Sequence, residues 1–147
     1  MIDENLPISL RPANENDFGF ILASIGTTTH KIYPASYVPN AIHFPYWRRM
    51  TERFISDYTC IVANVDGYSD YLAGFAFLSH LSTTSLLLPF AFVKGIYRRN
   101  GIFNHLLNSY DSTFNKKSII CPIFFHLFPA LETKYHLIYD PTTLPHV

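Results

Sequence analysis

A cluster of positive charge follows the most apolar segment of the chain. Residues 86–93 predict a buried strand, and an amphipathic segment that begins just after Gly101 predicts a helix over 102–114. The turn between them carries three cations, Lys94, Arg98 and Arg99. The first N–H groups of a helix lack partners within it, and the helix dipole favours negative charge there. No carboxylate lies between Asp70 and Asp111, so the spacing predicts an anion site for a phosphate-bearing ligand.

The same segment resembles the acyl-CoA-binding segment of GNAT-type N-acetyltransferases. In that family a strand leads into the pattern Arg/Gln-x-x-Gly-x-Gly/Ala, where a helix begins. Arg98 matches the first position and Gly101 the central glycine, whereas Phe103 stands where Gly or Ala is expected. The resemblance implies that this segment holds acetyl-CoA, with the pyrophosphate on backbone amides of the turn. The cofactor-binding residues that it implies are Phe92, Val93, Lys94, Arg98, Arg99, Asn100, Gly101, Ile102 and Phe103.

Phe103 leaves two orientations open. A ring that projects into the cofactor cleft fills the pyrophosphate space, whereas a ring turned against Leu106, Leu107 and residues 86–93 leaves the amides open. We expect the inward orientation, because a large aromatic side chain is more stable when buried.

Length and composition predict one domain over residues 1–147. Hydrophobic residues make up 48% of the 147 residues, and the formal net charge is zero, so no overall field attracts nucleic acid. Cys60 and Cys121 occupy apolar, strand-like segments and are expected to be buried free thiols rather than a disulfide or a metal site. The acidic segment 1–4 has no apolar run and no segment is long enough to span a bilayer, which favours a cytoplasmic protein.

The patterning predicts the element order β-α-α-β-β-β-α-β-α. This order is similar to the GNAT core over about residues 8–140 and implies an α/β fold with a mixed, largely antiparallel sheet flanked by helices. Two helix boundaries rest on single residues: Gly26 is expected to end the first helix, and Pro45 to open the second after a long loop over 27–44. The remaining predicted elements are strands at 8–13, 58–65, 71–79, 86–93 and 119–125, helices at 102–114 and 129–137, and an irregular tail from 139. Pro122 makes the strand at 119–125 an edge or irregular strand.

Acetyl transfer needs a proton donor for the thiolate and a hydrogen bond to the oxyanion. The resemblance assigns the donor to Tyr135, in the last predicted helix, and the hydrogen bond to a backbone N–H within residues 92–94. Packing in the core is the alternative role of Tyr135. His80 follows an apolar strand and is the candidate that could face the cleft, although a histidine at a strand end is commonly a surface residue. The other candidate bases are Glu52, Asp57 and His126.

The sequence therefore predicts an N-acetyltransferase that acts on an amine of a small molecule or protein. A turn of the form Val-Lys-x-x-Tyr-Arg-Arg-x-Gly-Ile and the later Tyr139-Asp140-Pro141 also resemble GNAT-like proteins of tailed bacteriophages. That resemblance implies the host cytoplasm as location and leaves an alternative, a GNAT-fold protein without catalysis whose partners are virion components or a second copy of the chain. Nucleic-acid binding through Arg48, Arg49 and Arg53 is the weakest option, and no membrane partner is expected.

Overall fold

The computed structural model describes residues 8–32, 40–66, 71–95, 101–122 and 131–143. Its six strands are β1 (Ile8–Pro12), β2 (Cys60–Val65), β3 (Leu72–Ser82), β4 (Ser85–Val93), β5 (Ser118–Cys121) and β6 (Leu137–Tyr139). Its helices are α1 (Phe18–Ile32), α2 (Asn40–Ser56) and α3 (Ile102–Tyr110). Short 3-10 turns cover Glu15–Asp17, Phe114–Lys116 and Pro141–Thr143. No described helix is long and apolar enough to cross a membrane.

The strands form one mixed sheet in the order of the chain, from β1 to β6. The first four strands pair antiparallel, and β4, β5 and β6 pair parallel. A parallel pair needs a crossover connection, and α3 lies between β4 and β5 in the chain. The predicted α/β fold with a mixed, largely antiparallel sheet is confirmed.

Alternation along the strands divides the core into two apolar layers. The layer on one face joins α3, through Ile102, Phe103, Leu106 and Leu107, to side chains such as Ala91 and Val93 of β4. The layer on the other face joins α1 and α2 to an aromatic group from the sheet that includes Phe75, Phe77 and Phe90. Cys60 and Cys121 are buried free thiols, as predicted.

The predicted end of α1 at Gly26 is wrong. Ile21 and Ile25, before the glycine, and Thr28, after it, are all nearly fully buried. The buried face of the helix therefore continues past Gly26. A glycine inside a helix costs only about 1 kcal/mol relative to alanine, so burial of this stripe outweighs it. The helix begins after a capping box in which Asn14 and Asp17 bind each other's backbone.

The predicted start of α2 at Pro45 is also wrong, since the helix begins at Asn40 and contains Pro45. Proline inside a helix removes one backbone hydrogen bond. Trp47, Met50 and Phe54 lie on one face of the helix and are buried, and this packing holds the helix in place. Most of the predicted loop over 27–44 is therefore helical in the described residues.

The C-terminal part differs most from the prediction. α3 ends at Tyr110 rather than at residue 114, and a 3-10 turn follows. β5 ends at Cys121, before Pro122, and it is not an edge strand because it pairs with both β4 and β6. Residues 131 and 132 are helical, but Tyr135 lies beyond them and a sixth strand begins at Leu137. The predicted helix over 129–137 and the irregular tail from 139 are thus corrected.

Candidate functional site

β4 carries a bulge near the point where its described pairing with β5 stops. Phe77 pairs with Phe90 and Ser79 with Leu87, so the two residues Leu88 and Pro89 stand opposite one residue of β3. Proline has no N–H to donate and is tolerated at such bulges. β5 pairs with β4 only as far as Leu87, and β4 then continues to Val93 beyond the end of β5. We call the region between residues 90–93 of β4 and the end of β5 the wedge.

The direction of each peptide group in this half of β4 follows from one hydrogen bond. The Lys94 N–H donates to the Ala73 carbonyl oxygen over 2.8 Å, which turns the Lys94 peptide group towards β3. Because peptide groups alternate in an antiparallel pair, Phe92 also turns towards β3, whereas Ala91 and Val93 turn towards the wedge. The sequence hypothesis took the oxyanion hydrogen bond from a backbone N–H within residues 92–94. Of these three residues, only Val93 turns its peptide group towards the wedge. The peptide groups of Phe92 and Lys94 therefore turn away from the wedge, whereas that of Ala91, which the sequence hypothesis did not include, turns towards it.

The Lys94 side chain does not join the turn before α3. Its Nζ lies 4.1 Å from the ring centroid of Tyr71 and 5.2 Å from that of Phe20, on the α1 face of the sheet. Phe92 packs on the same face, with its ring centroid 6.3 Å from that of Phe20. Aromatic ring faces attract ammonium groups, so the contacts hold Lys94 on the face opposite α3. Of the three cations in the sequence hypothesis, Arg98 and Arg99 lie outside the described residues, as does Asn100.

The start of α3 has the form that the sequence predicted. Gly101 adopts φ +76°, a left-handed conformation that favours glycine, and it is the N-cap of the helix without a side-chain capping bond. Ile102 and Phe103 are buried in the α3 layer, and the Phe103 ring packs edge-on against Tyr135 at 5.4 Å. The expected inward orientation of Phe103 is confirmed. The ring itself therefore does not lie across the N-terminal end of α3.

Tyr135 lies against the outer side of α3. Its hydroxyl donates to Oδ1 of Asn104 over 3.2 Å, and its ring contacts Phe103 and Phe114. Burial raises the pKa of Tyr135, so the hydroxyl stays protonated at neutral pH and can act as a proton donor. It borders a polar cavity of about 380 Å³, lined by Asn104, Asn108, Ser112, Phe114, Asn115, Lys134 and Tyr135. Asn104 carried no signal in the sequence that would have marked it as a partner of Tyr135.

His80 belongs to a different cluster. Its Nε2 lies 3.0 Å from Oδ2 of Asp111, and the Tyr110 hydroxyl lies 3.2 Å from its Nδ1. Hydrogen bonds from Lys117, and further ones from Thr113, hold the pKa of Asp111 well below its usual range. His80 pairs in register with Leu86, four residues before the start of the wedge at Phe90, or about 13 Å at the usual rise per strand residue. The structure therefore does not place His80 at the wedge, contrary to the expectation that it could face the cleft.

Two of the other candidate bases form ion pairs on the protein surface at α2. Glu52 pairs with Arg48 and Asp57 with Arg53, both as exposed ion pairs one helical turn apart. Such pairs contribute little and indicate a solvated helix face. His126 lies outside the described residues. No group of three or more potential metal ligands occurs in the described part of the chain.

No protein-family model matches the sequence, and no curated protein matches it. Solved structures do match. A predicted acetyltransferase from Clostridium acetobutylicum with acetyl-CoA aligns at TM-score 0.57 and 11% identity, over 86% of this chain and 88% of that chain. PaiA N-acetyltransferase from Thermoplasma acidophilum, in complex with coenzyme A, aligns at TM-score 0.51 and 17% identity, over 72% of this chain and 70% of that chain.

AAC(6')-Iy, in complex with the bisubstrate analog CoA-S-monomethyl-acetylneamine, aligns at TM-score 0.50 and 15% identity, over 86% of each chain. The match to Ard1 from Thermoplasma volcanium spans 62% of that chain, less than two thirds of its length. Identities this low show a shared fold. Together with the six-stranded mixed sheet and the glycine-capped α3, the comparisons show that the chain has the GNAT acetyltransferase fold.

Proposed function

We propose that the chain is an N-acetyltransferase that transfers an acetyl group from acetyl-CoA to an amine of a small molecule or protein in the cytoplasm, and that residues 1–147 form one such domain. The observation that carries the proposal is the wedge, where β4 leaves β5 at the Leu88–Pro89 bulge and extends beyond it. The solved structures with the same fold support it, since those of PaiA and of the Clostridium acetobutylicum protein contain coenzyme A and acetyl-CoA respectively.

The wedge offers an extended ligand a strand-like edge. The peptide group of Ala91 turns towards it, and an amide of an extended ligand such as the pantetheine arm pairs with such a group as an added strand does. The start of α3, the next described helix after β4 in the chain, attracts the pyrophosphate. Because the Phe103 ring is buried, it does not stand in the way of that approach.

Two roles are carried by side chains. Arg98 and Arg99, with Asn100 beside them, supply charge and hydrogen bonds for the phosphates; this assignment rests on the sequence. Tyr135 supplies the proton for the leaving thiolate; burial raises its pKa, so the hydroxyl carries its proton before transfer. Its bond to Asn104 orients the hydroxyl beside the first turn of α3.

Calorimetric titration with acetyl-CoA tests the binding step. We expect a saturable signal with acetyl-CoA and with desulfo-CoA, because both carry the pyrophosphate. The double variant Arg98→Glu, Arg99→Glu should lose binding and keep its circular dichroism spectrum. A matched charge reversal on α2, Arg48→Glu with Arg49→Glu, should bind as the unchanged protein does. Equal affinity of both double variants would refute the phosphate assignment.

Turnover is tested separately, by release of the CoA thiol in the presence of a panel of primary amines and by mass spectrometry of the acetylated product. Binding of acetyl-CoA with no thiol release across the panel and no acetylated protein would favour the non-catalytic alternative. Absence of acetyl-CoA binding would overturn the proposed function.

A further inference from the structure

One buried hydrogen-bond donor lacks a partner. Among the buried side-chain nitrogen and oxygen atoms of the described residues, only Nε1 of Trp47 makes no hydrogen bond. The side chain is 3% exposed, and it is the single tryptophan of the chain. Buried polar groups are nearly always paired, so an unpaired donor of this kind requires an explanation. One explanation is a ligand that supplies the missing acceptor.

Trp47 lies beside the wedge. Its ring packs edge-on against Phe90, with the centroids 5.3 Å apart and the planes at 71°. Phe90 is the first residue of β4 after the bulge, and the next residue, Ala91, turns its peptide group towards the wedge. The contact places the indole against the side chain of the residue at which the wedge begins. The indole approaches from the α2 face, opposite α3.

The surroundings of the indole select the kind of partner. Trp47 contacts the rings of Phe90 and Tyr46, and Phe90 stacks on Phe75, so the environment is aromatic. An ionised group would lose its hydration there at a high cost, whereas a neutral carbonyl oxygen would lose less. A carbonyl that becomes negative only during a reaction fits such a site best, because a fixed donor stabilises the developing charge.

We propose that the Trp47 indole N–H donates a hydrogen bond to the carbonyl oxygen of the acetyl thioester; this inference rests on the proposed function. When the amine nitrogen forms a bond to the carbonyl carbon, the π electron pair moves onto the oxygen, where the indole N–H holds it. The C=O bond then re-forms as the C–S bond breaks. The CoA thiolate leaves and takes up a proton, and the nitrogen gives up one proton to solvent. Trp47 is thus an oxyanion donor contributed by α2.

The single tryptophan makes a direct test simple. In a two-dimensional ¹H–¹⁵N spectrum of the uniformly labelled protein, one indole cross-peak is expected. Acetyl-CoA should move the indole proton to lower field, because a new hydrogen bond deshields it. CoA, which lacks the acetyl carbonyl, should move backbone signals such as those of Ala91 and Gly101 and leave the indole proton in place.

Three outcomes decide the matter. A response to acetyl-CoA but not to CoA supports the proposal. Backbone shifts with an unmoved indole proton overturn it while leaving the proposed function standing, and they assign the N–H to the ring face of Phe90 or Tyr46. No shift of any signal with acetyl-CoA overturns the proposed function and the inference together.

Affinity provides a second, independent measurement. Trp47→Phe keeps an aromatic ring and removes the donor, so it should reduce the ratio of acetyl-CoA to CoA affinity by about three- to tenfold, the worth of a typical hydrogen bond. Tyr46→Phe removes the neighbouring hydroxyl, keeps the indole, and should leave the ratio unchanged. An unaltered ratio in a folded Trp47→Phe protein would overturn the proposal. Should that variant not fold, the spectra of the unchanged protein still decide.

Discussion

Replacement of Phe103 by glycine tests the fold and the site at once. The family pattern has a small residue at this position, whereas here the ring is 7% exposed and packs with Leu106, Leu107 and Tyr135. Truncation of a buried phenylalanine to alanine costs about 3–5 kcal/mol. Glycine in place of alanine inside a helix adds about 1 kcal/mol. We therefore expect Phe103→Gly to lower the free energy of unfolding by about 4–6 kcal/mol, comparable with the whole stability of many domains.

Urea unfolding followed by circular dichroism measures the loss, and calorimetry with acetyl-CoA on the folded fraction measures the effect on binding. We expect no gain in affinity, because the ring is already outside the path of the pyrophosphate. Phe103→Leu keeps an apolar side chain and serves as a control, with a smaller loss of stability and unchanged affinity. A Phe103→Gly protein as stable as the unchanged one, with tighter acetyl-CoA binding, would refute the reasoning, since it would place the ring in the cleft.

Three further substitutions test other contacts. Gly74→Ala should destabilise the protein by about 1–3 kcal/mol in thermal unfolding, because its Cβ would lie 2.4 Å from a carbonyl oxygen of β4, whereas Gly19→Ala, with open space, should not. Asp111→Asn should cost about 1–2 kcal/mol at pH 7. The pKa of this carboxyl is lowered in the folded state, so its contribution to the free energy of unfolding is present above about pH 4. The difference in stability between the variant and the unchanged protein should therefore shrink as the pH falls further. Equal stability of the two proteins at pH 7 would contradict this. Tyr135→Phe should lower turnover with little change in acetyl-CoA affinity, while Tyr110→Phe should leave turnover unaltered.

Local patterns were enough to predict most of the sheet. β2, β3 and β4 are short apolar runs separated by polar turns, and β3 and β4 join at the predicted turn near residues 82–85. The predicted order of strands and helices also held through α3, because each element has its own periodicity. Gly101 was placed correctly at the start of α3, since a glycine before an amphipathic run is a local signal.

The errors arose where tertiary packing outweighs a local signal. Gly26 and Pro45 are helix-breaking residues by type, yet each lies inside a helix whose buried face is fixed by the sheet. Tyr135 was assigned to a helix because its segment has helical periodicity, but the pairing of Leu137 with Ile119 ends that helix early. Such pairings join distant parts of the chain, and no local pattern contains them.

The side-chain partners of the site were harder still to predict. Lys94 lies four residues before Arg98 in the sequence and was grouped with it by charge, but strand alternation directs its side chain to the rings of Tyr71 and Phe20 on the face opposite α3. The face on which a side chain lies depends on register, and register depends on the bulge at Leu88–Pro89. Without that bulge in the prediction, neither Ala91 nor Trp47 could be connected with the wedge.

Pro89 was the one local sign of the bulge. A proline within a run that otherwise predicts a central strand must lie at a bulge or where no ladder hydrogen bond is needed from it. Here the bulge lies where β4 stops pairing with β5, so one residue type accounts for both the break in register and the opening of the wedge. Gly74 acts on the same region from β3, since only a residue without a Cβ fits against Phe92 and Val93. The position of the wedge is therefore encoded by a proline on one strand and a glycine on its neighbour.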